Sequence, residues 1–465
     1  MAGNYGEKFV NIFKRFMPDS FVFAILLTLI CGFLALFVVG ASPMKIISSW
    51  YTGFWSLLEF GMQMVLILVT GFCIALSPQV GKLINRLAKY VETPAKVYVF
   101  VVIVGTLFAL ISWGWVVITA VLARSLATRV KGIDYRYLVA CVYISGNGWV
   151  TGLSSSIPLV LNTDGNFLIE SGVLDGNIPT GLTLGSTLNL TMLAFYLIVP
   201  PLVMYLLRPN AESVVEYESL KLEEDVGQTI SIEQEAGEQK LPGWALSDIL
   251  NNSWILQLTI VLMGAAYIVS YFWANGFELN LSIIIFTFLI TGMVLHRTPV
   301  RYVVAMKRAS ENISGIVFQY PFYAGIMGIM IHTGLGAAIG SMMASNASIY
   351  TYPFYSYLAG ALVNFAIPSA GGEFAVLAPS VIEAVKELSS GFSPVIQLQM
   401  IAKSSLAIAY GETLTNLLQP FFFLVIAPVM GAGLRLQARD VMGYLFVPFA
   451  VYFVIQVLLI TFVPV

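Results

Sequence analysis

Pro368-Ser369-Ala370-Gly371-Gly372-Glu373 interrupts an otherwise apolar run, 350–388. A proline, two adjacent glycines and an acid do not suit a helix that crosses hydrocarbon. Lipid gives freed backbone groups no partner, so broken backbone at membrane depth must line protein or water. A second break, Ser112-Trp113-Gly114-Trp115, lies near the middle of the run 97–123. Each arm of that run holds ~12 residues, roughly 18 Å of helix, which reaches the bilayer midplane and no further. Both runs are expected to be re-entrant hairpins. The competing reading of the run 97–123 is a single tilted span with a glycine in it.

Composition demands the membrane setting. Of 465 residues, 58% are hydrophobic and 10% charged, against roughly 45–50% and about 25% in soluble domains. Mean hydropathy is +0.85. So few charges cannot dress a water-soluble surface of this size. A net charge of −2 excludes a basic footprint for nucleic acid. Two histidines and three cysteines leave little for zinc, haem or iron–sulfur ligation. Cys31, Cys73 and Cys141 sit in apolar runs and imply no disulfide framework. No cofactor is expected beyond a coupling ion.

Apolar runs near 20 residues read as spans. About nine are expected: 21–40, 54–76, 137–161, 183–207, 253–272, 279–295, 313–344, 396–428 and 441–462. Lysine and arginine in short loops set the orientation. Lys8, Lys14 and Arg15 place the N-terminus in the cytoplasm. The 41–53 loop, with Lys45 alone, lies outside. Lys82, Arg86, Lys89 and Lys96 put 78–96 inside, where its i, i+3, i+4 apolar spacing predicts an amphipathic helix. A hairpin at 97–123 keeps Arg124, Arg129, Lys131 and Arg136 inside as well. A hairpin at 350–388 enters from outside and keeps Arg435 and Arg439 inside, which leaves the C-terminus external. The acid-rich stretch 208–250 is expected to be a mobile cytoplasmic linker.

The halves overlay. Ser112 precedes Gly114 as Ser369 precedes Gly371, and each tip is followed by a span broken by polar residues. The first holds Gly146-Asn147-Gly148-Trp149-Val150-Thr151-Gly152-Leu153-Ser154-Ser155-Ser156-Ile157-Pro158. The second holds Gly411-Glu412-Thr413-Leu414-Thr415-Asn416-Leu417-Leu418-Gln419-Pro420. The chain divides into a first repeat at 1–207, the linker at 208–250, a connecting helix at 251–278 and a second, inverted repeat at 279–465. The fold class is an all-α polytopic membrane protein with two inverted repeats. Such repeats with discontinuous helices mark secondary transporters.

Half-helix N-termini suit anions, and glycine admits a ligand without a Cβ. Ser112, Gly114, Trp149, Ser154, Ser155, Ser369, Gly371, Gly372 and Asn416 are the substrate-binding candidates. Asn147, Ser156, Glu373, Glu412, Thr413 and Thr415 are the ion-coupling candidates. Na⁺ is matched to hard oxygens at Asn147, Ser154, Thr415 and Asn416. A mid-membrane acid costs about 2.5–3.5 kcal/mol on insertion scales, so Glu373 and Glu412 need a reason to be there. The competing readings are close helix packing for the glycines and interhelical hydrogen bonds for the polar side chains. Lys403 is expected to snorkel to the outer surface.

The sequence resembles the short-chain fatty acid transporter family over nearly its whole length. The likeness is strongest at Trp113-Gly114-Trp115 with Leu122-Ala123-Arg124, at Gly152-Leu153-Ser154-Ser155-Ser156-Ile157-Pro158-Leu159, at Pro368-Ser369-Ala370-Gly371-Gly372-Glu373-Phe374-Ala375-Val376 and at Thr415-Asn416-Leu417-Leu418-Gln419-Pro420-Phe421. The family often has Gln at Glu373, Trp at Phe374, Asp at Glu412 and a His near Val150. That resemblance implies uptake of monocarboxylates such as acetoacetate and butyrate. It also implies kinship with a wider ion-transporter superfamily, often dimeric, whose elevator-like transport domain moves against a scaffold. The scaffold would comprise 21–76 and 279–344.

The expected function is secondary active transport of a short-chain monocarboxylate coupled to Na⁺ or H⁺, by a homodimer. The alternative is symport of another small organic anion, a dicarboxylate or an amino acid. No HExxH, GxSxG or His/Asp cluster lies near the breaks, so an enzyme is not expected.

Overall fold

The computed structural model describes residues 20–209, 214–222, 231–241, 244–310, 313–345, 347–365, 367–419, 421–431 and 433–465. Lys8, Lys14, Arg15 and Pro420, used above, lie outside the described residues. Among those described, regular structure is helical, with one isolated bridge between Lys221 and Leu434. Five helices are long and apolar enough to cross a membrane: Pro43–Ala75, Pro94–Ile111, Thr187–Leu206, Leu246–Asn275 and Ala438–Phe462. A sixth arises if the pair Val317–His332 and Leu335–Ala344, bent by 72°, counts as one span. The about nine expected spans are fewer by this measure because several are divided or short.

The first group of helices is α1 (Ser20–Val38), α2 (Pro43–Ser56) and α3 (Leu58–Ala75). The 41–53 stretch is therefore not a loop. Ser42 caps α2 by accepting from the Lys45 amide, and Pro43 starts it. Next come α4 (Pro78–Leu87), α5 (Pro94–Ile111) and α6 (Val116–Ala127). Here α4 is the amphipathic helix that its spacing predicts, with Val80 and Ile84 buried.

The chain folds back between α5 and α6. A Cβ on Gly105 would lie 2.7 Å from Thr119 Cγ2, whereas a continuous helix would hold those residues roughly 21 Å apart. The fold-back is at Ser112–Trp115, as the sequence predicts, but α5 has 18 residues, longer than the expected arm. Next, α7 (Tyr135–Ser145) runs into a 3₁₀ turn at Gly146–Thr151, a tight turn over residues 152–155, and α8 (Ser156–Leu161). The sequence's first broken span is thus divided. Gly152 makes the division possible: a Cβ there would meet the Leu110 Cα at 2.5 Å.

The remaining long helices are α9 (Thr187–Leu206), α10 (Trp254–Asn275), α11 (Leu281–His296), α12 (Pro299–Ala309), α13 (Ser314–His332), α14 (Leu335–Ala344), α15 (Tyr352–Val363), α16 (Ala370–Leu388), α17 (Pro394–Asn416), α18 (Phe421–Met430) and α19 (Phe446–Phe462). The chain folds back again between α15 and α16, where a Cβ on Gly360 would lie 2.9 Å from Glu373 Oε1. In each half the first arm of the fold-back lies along its divided partner, α5 on α7 and α15 on α17. Beside them, α3 packs on the 113–115 turn while α13 packs on α16. Gly53 and Gly328 let α2 and α13 touch backbone to backbone, since a Cβ on either would meet the other's Cα at 2.5 Å.

Two expectations about the second half change. Glu412, Thr413, Thr415 and Asn416 are not inside a break. They form the last turns of α17, and the chain departs from the helix only at Leu417. Glu373 sits in the first turn of α16, its amide donating to Ser369 O at 2.8 Å. The described parts of the linker are tied down. Val215 donates to Asp134 Oδ2 at 3.1 Å, and the Arg124 Nη2 donates to the Tyr217 hydroxyl at 3.0 Å. Farther on, a short helix at Ile232–Glu238 buries Ile232 and Ala236 against α3 and α12, and Arg308 Nε donates to Glu235 Oε2 at 2.8 Å. Apolar pairs hidden within an acidic stretch explain why it reads as free.

Gly411 marks the tightest crossing of α15 and α17. A Cβ there would press on the Tyr357 carbonyl and lie 2.7 Å from the Ala361 amide. Gly411→Val should cost roughly 1–3 kcal/mol by overpacking, read as a lower unfolding temperature in detergent. Gly81→Ala, with nothing within 4 Å, should not lower it. Equal effects would mean that this backbone contact does not support the fold.

Candidate functional site

Both fold-backs and both divided segments meet around one cavity of about 120 Å³. Ser112 comes from the first turn-back. Pro368, Ser369, Ala370 and Gly371 come from the second. Trp149 comes from the 3₁₀ turn, Ser154 from the 152–155 turn, Ser156 from the start of α8, and Glu412 from α17. A further wall is apolar, made by Met64, Ile67 and Leu68 of α3, with Tyr320 of α13 beside them; Gly71 of the same α3 lies against Ser112. A cavity of this size holds a molecule of several heavy atoms.

Its polar chemistry is uneven. The Tyr320 hydroxyl and Ser369 Oγ are 3.1 Å apart. Gly371 permits that approach, because a Cβ there would lie 2.7 Å from the Tyr320 oxygen. The N-terminus of α16 opens onto the cavity, and its leading amides carry positive partial charge. Of these, the Ala370 amide lies against the Glu412 carboxyl and the Gly372 amide against the Tyr320 hydroxyl. Ser112 Oγ and Trp149 Nε1 are buried without a hydrogen-bond partner. An indole N–H is a donor only, so it calls for an acceptor. Glu412 is 2% exposed and its Oε2 is likewise unpartnered. No Lys, Arg or His is among the lining residues.

Ser112, Trp149, Ser154, Ser156, Ser369, Gly371 and Glu412 thus reach the cavity. The other sequence candidates do not line it. Gly114 packs on the Phe72 ring and Gly372 on the Tyr323 ring. Ser155 is buried beside the cavity, with its amide donating to Gly152 O at 3.1 Å. The Asn147 amide donates to Thr413 O at 3.0 Å. Asn416 Oδ1 accepts from Asn364 and from Gln419, each at 2.8 Å, and Thr415 Oγ1 accepts from Asn364 at 2.9 Å. The oxygens matched to Na⁺ at Thr415 and Asn416 therefore have protein partners. Thr413 Oγ1 sits in a buried network with Tyr196 at 2.7 Å and Gln456 at 3.1 Å.

Glu373 is fully buried, off the cavity, with neither carboxyl oxygen hydrogen-bonded. Lys403, expected at the surface, is 9% exposed on α17. Sequence reading missed Tyr320, Asn364 and the α3 wall. Gln319-Tyr320-Pro321 inside an apolar run was a usable signal for the first. Met64, Ile67 and Leu68 carry none, because any span shows such spacing.

Known proteins agree with this architecture. The described model of the family "Short chain fatty acid transporter" matches residues 1–464. A protein of Escherichia coli K12 is 35% identical over 445 residues, covering 96% of each chain. One from Haemophilus influenzae Rd is 34% identical over 444 residues, covering 94% of this chain and 95% of its own. Both carry the name "Putative short-chain fatty acid transporter". Among solved structures, the YdaH transporter of Alcanivorax borkumensis shares the fold, with a TM-score of 0.57 over 95% of this chain and 98% of that one, at 16% identity. These matches indicate a transporter rather than an enzyme. With several helices apolar enough to cross a bilayer, the chain is a multi-pass membrane protein that belongs to the short chain fatty acid transporter family.

Proposed function

We propose that this protein is a secondary active transporter of short-chain monocarboxylates such as butyrate and acetoacetate, coupled to Na⁺ or H⁺. The observation that carries the reading is the cavity between the two turn-backs. It sets unpartnered donors, Ser112 Oγ and Trp149 Nε1, in one space with a helix N-terminus and an apolar wall. A carboxylate answers the donors and a short acyl chain answers Met64, Ile67 and Leu68. A dicarboxylate would want a second fixed positive charge, and the lining has none. The names of the relatives point the same way.

The two turn-backs are re-entrant hairpins of two inverted repeats on this reading. The carrier is a homodimer in a bacterial inner membrane, with its N-terminus cytoplasmic and its C-terminus external. Around the cavity, α3 and α13 belong to the scaffold. The hairpins and divided segments form the body that moves, as an elevator.

Proteoliposomes with imposed Na⁺ or pH gradients should accumulate labelled butyrate or acetoacetate. The neutral acids cross bilayers unaided, so uptake is read above protein-free liposomes. No such uptake of any monocarboxylate would sink the proposal, and uptake of a dicarboxylate or amino acid instead would replace it.

Ser112→Ala and Ser369→Ala each remove a hydroxyl worth about 0.5–1.5 kcal/mol. Each should raise KM roughly 2–10-fold and leave the amount of folded protein unchanged. An unaltered KM in both would take the two tips out of the binding site.

In a cysteine-free background, Arg86→Cys and Arg129→Cys, both exposed, should react with an impermeant thiol reagent from the same side. Labelling from opposite sides would mean that the first hairpin spans the membrane.

A further inference from the structure

We propose that the Glu412 carboxyl and the substrate carboxylate share one proton inside the cavity, so that each monocarboxylate travels with one H⁺ as a neutral pair. This rests on the reading of the protein as a monocarboxylate carrier and names its coupling ion.

The cavity asks for two things that conflict. Ser112 Oγ, Trp149 Nε1 and the N-terminus of α16 call for an anion. Glu412 lines the same small space with Oε2 unpartnered. An anion placed there meets a second carboxyl and no lining base. Two carboxylates in one site cannot both stay ionised, and a shared proton resolves the conflict. As an acid, Glu412 donates to the substrate through the oxygen that otherwise has no partner.

The surroundings offer no other counter-charge. The elements packed on α17 bring Glu373 from α16, Tyr357 from α15 and Tyr452 from α19. The Gly146–Thr151 and Thr180–Leu182 turns and α8 bring no titratable residue. Tyr320 of α13 and Tyr196 of α9 lie within electrostatic reach of Glu412. On α17 itself, Tyr410 is buried with its hydroxyl donating to Asn189 at 2.9 Å, and Lys403 is not among the lining residues. Glu373 lies within electrostatic reach of Glu412, and it is also an acid. Of the four residues matched to sodium, Ser154 alone lines this cavity; Asn147 Oδ1 is unpartnered but off it, and the Asn416 and Thr415 oxygens accept from Asn364 and Gln419.

The proton balance is simple. Substrate enters as RCOO⁻ and one H⁺ from water adds to Glu412. The pair is held as Glu412–COOH against RCOO⁻. On release RCOO⁻ leaves and Glu412 returns its proton to water on that side. The emptied carboxylate is left against the Ala370 amide at the positive end of α16. Loaded and emptied, the cavity carries one negative charge, so a full cycle moves RCOO⁻ and H⁺ together with no net charge.

Calorimetric titration of the purified full-length protein with butyrate, in buffers of different ionisation enthalpy and at several pH values, counts protons taken up per molecule bound. Uptake approaching one proton per butyrate on the alkaline side, without need for Na⁺, is the expected result. In Glu412→Gln, which mimics the neutral acid, the count should fall to none and affinity should lose its pH dependence. Glu412→Asp should restore proton uptake. Butyrate binding with no proton taken up at any pH overturns the proposal, whether or not the Gln variant folds. So does proton uptake unchanged in a folded Gln variant, or binding that requires Na⁺. If no monocarboxylate binds the wild-type protein, the transport reading itself fails and this one with it.

Discussion

Broken helices deep inside a protein leave backbone groups with no water to satisfy them, and here the two breaks satisfy one another. The last turns of α17 would leave carbonyls orphaned. Asn364, at the second turn-back, donates to Glu412 O at 2.9 Å, and the Tyr143 hydroxyl donates to Asn416 O at 3.0 Å. Asn147, from the first divided segment, takes the Thr413 carbonyl. Leu153 donates to Leu110 O at 2.7 Å, joining the first divided segment to the first turn-back. Removing any one of these partners strands a buried polar group, which is costlier than a missing contact. The cavity exists because these elements must stay together.

That constraint explains what was legible in the sequence. The breaks at Ser112-Trp113-Gly114-Trp115 and Pro368-Ser369-Ala370-Gly371-Gly372-Glu373 were readable because each interrupts an apolar run, although in the second the chain turns before Ala370 and the paired glycines lie within α16. The start of the second break was not. Gly411-Glu412-Thr413 looks like a disruption, yet α17 continues through it. Gly411 is there for the close crossing of α15 and α17, a tertiary cause that no local pattern shows. The 41–53 stretch read as a loop for the opposite reason. Its serines, Lys45, Tyr51 and Thr52 weaken the apolar signal, but α2 packs against α13 through Gly53.

Site residues were legible where chemistry is scarce. Glu412 and the tip serines stood out because little else in a span is polar. Trp149 was found, though its unpartnered N–H was not foreseeable. Asn147, Thr413, Thr415 and Asn416 also stood out, and the structure places them in the hydrogen bonds that hold the breaks together. Sequence shows that a polar group needs a partner, and only packing tells whether that partner is protein or ligand. Tyr320 and the α3 wall were invisible because one side of the cavity is contributed by helices with ordinary apolar faces.

The same division of labour separates two kinds of surface. Within the group α9, α15, α17 and α19, buried hydrogen bonds run from Tyr357 to Gln456 at 2.8 Å, from Gln456 to Tyr196 at 2.9 Å, and on to Thr413. Such a network fixes its members, since each donor has a defined acceptor. The surface between α3 or α13 and the tips is different. It is built of glycines against rings, Gly114 on Phe72 and Gly372 on Tyr323, with the Trp115 indole donating to Gly71 O at 3.1 Å and Tyr320 beside Ser369. Van der Waals contact between rings and glycines keeps its energy through small shifts more readily than a directional network does. If one part of this protein moves against another, the physical economy lies at that surface. The cavity sits on it, lined by the apolar residues of α3 and Tyr320 of α13 together with Ser112, Ser369, Trp149 and Glu412.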